Sequence, residues 1–394
     1  MKSRYCMVVI SLLAVTVTLL SSCAGGGGEN AFVTFDYSKV KEGDTLRFSS
    51  LAEAPEFIAL DSDTLDAFAQ AMVIISDNYL VKNVMSVSGM NEFPVSVFDR
   101  HTGRFICNVG HIGRGPGEYL RSVCTYVDED GGKIWIMDAG DHIKTYDIRS
   151  GKYLGNVPLA YSLMDDYAGG MGSFIVNDGK VTVAAVPYQE DSCPSIVWCQ
   201  DVLGNILWEI PETGRECSLK PGNTLVSSEY NIEGMLDVTF RYQGDRPDTL
   251  YLVREGRLQP VYNVNKRTLK SGMGMYDVLL PGKVFSNLTE DKEVIPNVTV
   301  GFPVACIVTD LNSGKSVKYP TVARNDFLGI NTEQFSFQNG YLVQAVSAVE
   351  FKEIGQRALE QGLLPEASAE QVRAILSELQ DTDNDVLMLA RLKK

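Results

Sequence analysis

The chain has 394 residues, 45% of them apolar, and a formal charge of −15. That length fills one large or two ordinary domains, and the composition is that of a folded protein rather than a disordered one. So acidic a surface repels phosphate backbones, which excludes nucleic acid as a partner, and no basic run argues otherwise.

The N-terminus reads as an export signal. Lys2 and Arg4 precede an apolar run from Met7 to Leu20 that only Ser11, Thr16 and Thr18 interrupt. The run suits the apolar part of a signal and is short for a membrane span. It ends in Leu20-Ser21-Ser22-Cys23, with the small residue before the cut and the thiol after it that diacylglycerol attachment needs. Residues 1–22 are thus expected to be a lipoprotein signal peptide, with Cys23 the lipidated mature N-terminus and the membrane a partner through that lipid. Residues 23–31, which include Gly25 to Gly28, form an expected tether, because four successive glycines neither pack nor order cheaply. Ala24 in place of an aspartate points to the outer membrane of the cell envelope, by analogy with enterobacterial sorting.

From residue 32 onward the chain reads as all-β. Short runs rich in Val, Ile, Tyr and Phe alternate with Gly, Asp and Asn turns, and helical periodicity is nearly absent before residue 350. A repeat sets the architecture. Phe98-Asp99-Arg100-His101-Thr102-Gly103-Arg104 is matched in kind by Tyr146-Asp147-Ile148-Arg149-Ser150-Gly151-Lys152, and the match runs on to Val109 and Val157. Asp310-Leu311-Asn312-Ser313-Gly314-Lys315 repeats the core, and Asp201-Val202-Leu203-Gly204-Asn205 and Arg254-Glu255-Gly256-Arg257 are shorter relatives. In each the acidic residue caps the turn and glycine takes the positive φ of a hairpin. A second turn precedes the first, as at Asp77-Asn78, Gly131-Gly132, Asp178-Gly179 and Asn339-Gly340. Two hairpin turns and four strands in about 50 residues make a propeller blade. The count predicts a six-bladed β-propeller over residues 32–394.

The C-terminal part departs from the repeat. Residues 351–380 have helical period, with Pro365 splitting them and Ser368-Ala369-Glu370-Gln371 as an expected capping box. Residues 385–392 then read as a closing strand, so the helices form an insertion within the last blade. The segment from Phe32 to Phe35 is the expected second partner that closes the ring.

Gly110-His111-Ile112-Gly113-Arg114-Gly115-Pro116-Gly117-Glu118-Tyr119, following Phe98-Asp99, resembles the signature of the six-bladed propeller lipoproteins of Bacteroidetes, a TolB-like and NHL-like group. Asp248-Thr249-Leu250-Tyr251 before Pro260, and Asn384-Asp385-Val386-Leu387 with Leu392-Lys393, also look like that family, although Asn384-Asp385 stands where the family has Asn-Pro. The resemblance spans nearly the whole mature chain. It implies a fold and an envelope address, and carries no catalytic residues.

The glycines of residues 113–117 do not make a phosphate loop, because no Lys-Ser/Thr ending follows and Glu118 would oppose the phosphate. A structural crossing between blades fits better, with Arg114 placed to pair with Glu118. Of the three histidines, His101 belongs to a turn, whereas His111 and His142 fall near strand ends where propeller loops gather. Two histidines are few for a transition metal, so no metal site and no cofactor is expected. Calcium at the channel is the alternative, with Asp138, Asp141, Asp165 and Asp166 as its carboxylates. The candidate binding residues are therefore Arg114, Glu118, His111, His142 and Asp138. Six cysteines follow Cys23, namely Cys107, Cys124, Cys193, Cys199, Cys217 and Cys306, without CxxC spacing. Neither GxSxG nor HExxH occurs, and no nucleophile has an obvious partner in sequence. The expected function is a non-enzymatic binding or scaffold module for a protein, peptide or glycan of the envelope. A calcium-dependent, lactonase-like hydrolase or lyase with its site in the central channel is the alternative.

Overall fold

The computed structural model describes residues 32–61, 72–84, 91, 93–122, 124–138, 141–163, 172–185, 193–211, 226–227, 230–240, 247–254, 256–295 and 298–394. Their strands form the six sheets of a β-propeller. In order from the inner strand outward, blade 1 comprises Met72–Ile75, Tyr79–Asn83, Val95–Asp99 and Phe105–Val109. Blade 2 comprises Cys124–Asp128, Lys133–Met137, His142–Asp147 and Tyr153–Pro158. Blade 3 comprises Ser173–Asn177, Lys180–Ala184, Ser195–Gln200 and Ile206–Pro211. Blade 4 is built from Val226–Ser227, Leu236–Phe240, Asp248–Arg254 and Arg257–Val264. Blade 5 has Met273–Leu280, Ser316–Tyr319 and, between them, two strands of 13 residues, Lys283–Ile295 and Val298–Asp310. Blade 6 has Ser336–Gln338, Tyr341–Val346, Val386–Leu392 and, outermost, Ala52–Ala59.

Inner strands pack between two neighbouring blades, so they read as unbroken apolar runs. In blade 3 the innermost strand buries Ser173, Phe174, Ile175 and Val176, and all six residues of the third strand, Ser195–Gln200, are buried as well. Outer strands face solvent on one side and alternate, as Ile206–Pro211 does. The clusters between blades hold the largest side chains, among them Trp135, Trp198 and Tyr262, none more than 1% exposed. Each such burial stabilises by roughly 1.5–3 kcal/mol.

The repeated turns follow one chemistry. Asp99, Asp147 and Asp310 each accept from the backbone N–H three residues on and from the hydroxyl of Thr102, Ser150 or Ser313. Those hydroxyls, and then the backbone donors, hold the three carboxyls below the usual aspartate range. The closing glycine has a second duty. Gly151 has φ 65°, and a Cβ there would lie 1.9 Å from the carbonyl oxygen of Asn108 in the preceding blade. A Cβ at Gly103 would likewise lie 1.9 Å from the Ala59 carbonyl oxygen of blade 6, so these two turns dock onto a neighbouring outer strand and only glycine lets the backbones approach so closely.

The N-terminal arm departs from expectation. Val33–Phe35 pairs in parallel with Tyr262–Val264 at the outer edge of blade 4, not with the closing blade. The arm then pairs Lys41–Glu42 with Val317–Lys318 of blade 5 and Arg47 with Arg324. It ends as Ala52–Ala59, antiparallel to Val386–Leu392, and this strand closes the ring. The physical reason is the partner each apolar pair finds. Val33 and Phe35 bury with Tyr262, Val264 and Met275 between blades 4 and 5, whereas Phe57 joins the core of the last blade and Ile58 the seam with blade 1.

The helical insertion lies between the second and third strands of blade 6, as α1 (Ala348–Glu360) and α2 (Glu366–Glu378). Phe351, Ile354 and Ala358 of α1 recur at spacings of three and four and bury together. Ser347 caps α1. Pro365 does separate the helices, but Ser368 is no cap. It sits inside α2, buried, and its hydroxyl donates to the Pro55 carbonyl at 2.5 Å, while Gln371 Oε1 accepts from Phe57 N at 3.1 Å. α2 thus satisfies polar groups along the outermost strand, which would otherwise present an open edge.

Candidate functional site

The loop from Gly110 to Tyr119 crosses from blade 1 to blade 2 and brings several of the candidate residues together. His111 and Ile112 pair in parallel with Glu118 and Tyr119. Lys144, on the third strand of blade 2, reaches the Glu118 carbonyl at 2.7 Å and Asp138 Oδ2 at 2.5 Å. His142 lies 3.8 Å from Asp138 through Nε2 and 2.5 Å from Asp141 through Nδ1. His111, Glu118, Asp138, Asp141 and His142 therefore belong to one locality, with Lys144 as the residue that sequence reasoning missed. Lys144 neutralises Asp138 and ties it to the Glu118 carbonyl, which fixes the crossing to blade 2. Among the described residues no group of three or more His, Cys, Asp or Glu is placed to hold a metal ion. Asp165, Asp166 and Cys23 lie outside the described residues, as does Cys217. The five described cysteines carry free thiols, and burial pushes those of Cys107 and Cys306 up to about 11, so they stay protonated at neutral pH.

Arg114 corrects another expectation, since it is exposed and forms no ion pair with Glu118 among the described residues. The Glu118 carboxylate instead turns into its own loop and accepts from Gly115 N at 2.7 Å. Gly113 explains the geometry, because a Cβ there would sit 2.1 Å from Glu118 Oε2. Behind the loop Tyr119 accepts from Val95 N at 2.7 Å and donates to the Val109 carbonyl at 2.9 Å. Glu118→Ala is accordingly expected to lower stability by about 1–2 kcal/mol through the lost charge-assisted bond. Arg114→Ala is expected to stay within about 0.5 kcal/mol of the parent. Urea titration of both variants checks this, and equal losses would contradict it.

A second locality lies at the mouth of the central channel, on the face that carries the tight turns between first and second strands. A cavity of about 500 Å³ opens there, lined by residues from all six blades, among them Ile74, Tyr126, Tyr230, Asn231, Tyr341 and Arg391. Two guanidinium groups converge on Tyr341. Arg391 lies 5.0 Å from its ring centroid and donates to its hydroxyl at 2.7 Å. Arg100 lies 4.7 Å from the centroid, donates to the same hydroxyl at 3.0 Å and to the Ser76 carbonyl at 2.9 Å, and pairs with Glu56. Arg100 is buried, whereas Arg391 is exposed and has no carboxylate partner among the described residues. Tyr230 adds a bulky wall with φ 52°, held by bonds of 2.8 Å to Ser173 and to the Phe174 carbonyl, and burial keeps its hydroxyl protonated. The mouth is mixed in character, with aromatic and aliphatic walls, amides, the exposed cations Arg391 and Lys394 and the carboxylates Asp77 and Glu233. Such a surface orients a ligand through a few polar contacts and supplies area through its rings.

None of these mouth residues was among the candidates, because they come from turns distributed round the whole ring. One signal was present. The residue after the turn aspartate is Ile148, Val202 and Leu311 in three blades, but Arg100 in blade 1. A lone cation at an otherwise aliphatic repeat position marks a site where the repeat serves another purpose.

A model for a domain of unknown function, DUF4934, matches residues 32–391. No curated protein matches the chain. Among solved structures, a Bacteroides fragilis protein described as exported is similar at a TM-score of 0.53 and 15% identity, over 92% of this chain and 100% of its own. A DUF4221 family member from Bacteroides vulgatus is similar at a TM-score of 0.42 and 10% identity, over 87% and 97%. At such identities the first likeness shows the fold alone, and the second carries no argument. No helix among the described residues is long and apolar enough to cross a membrane.

Proposed function

We propose, from the premise that the chain belongs to the DUF4934 family, that it is a lipid-anchored propeller of the cell envelope which binds a protein, peptide or glycan at its channel mouth and performs no chemistry of its own. The observation that carries this is the channel mouth itself, where Arg391 is exposed and held over Tyr341 with no carboxylate partner among the described residues. A catalytic channel of the calcium-dependent kind needs convergent carboxylates; Asp77 and Glu233 line the mouth, but no group of three or more His, Cys, Asp or Glu among the described residues is placed to hold a metal ion. The anchor at Cys23 and the outer-membrane address rest on the lipobox and on the resemblance to TolB-like and NHL-like propeller lipoproteins of Bacteroidetes.

Two measurements test the proposal. The protein is applied to peptide and glycan arrays beside Arg391→Ala. Binding is expected on one array class, weakened about tenfold or more in the variant with its melting curve unchanged. No binding on either array, or equal binding by both proteins, would sink the assignment of the mouth. Separately, Cys23→Ser is expected to leave a protein that no longer partitions into detergent, and a variant that still partitions would remove the anchor.

A further inference from the structure

The repeat supplies an internal control for the outer turns. At the second position after the turn aspartate, blades 1, 2 and 5 carry His101, Arg149 and Asn312, as solvent-facing turns should. Blade 3 carries Leu203 there, 74% exposed. Its neighbours Val202, Ile206 and Leu207 are 41%, 40% and 50% exposed. The turn that presents them is firmly built. Asp201 accepts from Leu203 N and Asn205 N at 2.9 Å each, and Asn205 Nδ2 donates to it at 2.8 Å. Four aliphatic side chains within six residues are thus held outward on a rigid tip. Beside them runs the groove between blades 3 and 4, lined by Trp208, Leu258 and Pro260 and by the cations Arg254 and Arg257.

The position of this rim relative to the start of the described chain says what covers it. Val33 pairs with Tyr262 on the outer strand of blade 4. Followed back toward its own start, that strand reaches Arg257 and then Gly256, whose Cβ position lies 3.5 Å from the Trp208 ring. The distance from Val33 to the rim of blade 3 is therefore about 20 Å at the usual rise of a strand. Cys23 precedes Phe32 by nine residues, which span at most about 30 Å when fully extended. A lipid on Cys23 brings the bilayer within reach of the aliphatic tip.

We propose that the rim of blade 3, through Val202, Leu203, Ile206 and Leu207, inserts into the interfacial layer of the bilayer that anchors the chain, with Arg254 and Arg257 at headgroup level; this rests on the lipid-anchor reading. The chemistry is that of an interfacial contact, in which aliphatic tips enter the acyl boundary, a tryptophan lies at the interface, and arginines keep their charge in the headgroups. The disc then stands on its edge, and both of its faces, including the channel mouth, stay free of the membrane.

Trp208 reports on this without a label. Trp135 and Trp198 are no more than 1% exposed, so Trp208 is the tryptophan a lipid-borne quencher reaches. The full lipidated protein is reconstituted into phosphatidylethanolamine and phosphatidylglycerol vesicles with and without brominated acyl chains. Its emission is expected to fall about twofold in brominated vesicles. The double variant Leu203→Glu, Leu207→Glu, with an unchanged melting curve, is expected to lose that quenching while remaining vesicle-bound. A lipidated protein whose emission is equal in both vesicles overturns the proposal and leaves the anchor intact. A protein whose mass shows no lipid overturns the anchor, and the proposal with it. If the Cys23→Ser form sediments as a dimer that the double variant abolishes, the tip belongs to a second copy of the chain, which also overturns the bilayer assignment.

Discussion

Deletion of residues 384–394 is expected to abolish the native fold and not merely to fray one end of it. Val386–Leu392 is an interior strand, hydrogen-bonded to Tyr341–Val346 on one side and to Ala52–Ala59 on the other. Val386, Leu387, Met388, Leu389 and Ala390 are each no more than 1% exposed. Removing one large buried aliphatic side chain costs about 2–5 kcal/mol, so losing four together matches or exceeds the about 5–15 kcal/mol that holds a typical domain. The loss also strands Ala52–Ala59, and with it the seam to blade 1. The truncated protein is expected to aggregate, or to show no cooperative melting transition by calorimetry. A monomer with the parental melting curve would remove this strand from the ring.

Arg100 is the second residue with a large expected effect, because it ties the first blade to the last. It sits in the outer turn of blade 1, while Glu56 and Tyr341 belong to blade 6. Burial works against its charge, but the bonds to Tyr341 and Glu56 outweigh that and raise its pKa further. Arg100→Ala leaves the Ser76 carbonyl short of a donor and Glu56 unpaired, while the Tyr341 hydroxyl keeps only Arg391. Loss of one partner from a buried pair costs about 3–5 kcal/mol, and since Glu56 is a third exposed we expect about 2–3 kcal/mol. Arg100→Lys is expected to recover only part, because an ammonium cannot span three acceptors in the plane of a guanidinium. Denaturant midpoints of the two variants check the order, and a Lys variant no better than Ala would show that charge is not what the seam needs.

The turns were legible because their chemistry is local. An aspartate, a hydroxyl and a glycine within five residues specify a hairpin wherever they occur, and three such turns with two shorter relatives counted the blades. The closing strand was not legible, because Ala52-Glu53-Ala54-Pro55-Glu56-Phe57 neither alternates cleanly nor lacks proline. It is a strand because Val386–Leu392 on one side and α2 on the other satisfy its backbone, and those partners are remote in sequence. Val33-Thr34-Phe35 alternates well, but alternation identifies a strand and not its neighbour. The Asp138 locality was half visible, since His142, Asp138 and Glu118 sit at strand ends; Lys144 was hidden inside a strand that reads like any other. The channel mouth was invisible because Asn231, Tyr341 and Arg391 become neighbours only when the ring closes.

The arm that runs across blades 4, 5 and 6 bears on when this protein can fold. Its contacts join Tyr37 to Thr268, Ser49 to Asp326, Phe57 to Gln371 and Lys393 to Ser49, at sequence separations of 231, 277, 314 and 344. The earliest strands of the chain thus have no partners until the latest ones have been made. Blades 1 to 3 draw on nearby sequence and are free to form early, whereas the arm waits as an open end. Closing so long a loop is slow, and the gain arrives only at the last step. A chain interrupted anywhere before its final strand therefore remains incomplete around the whole ring.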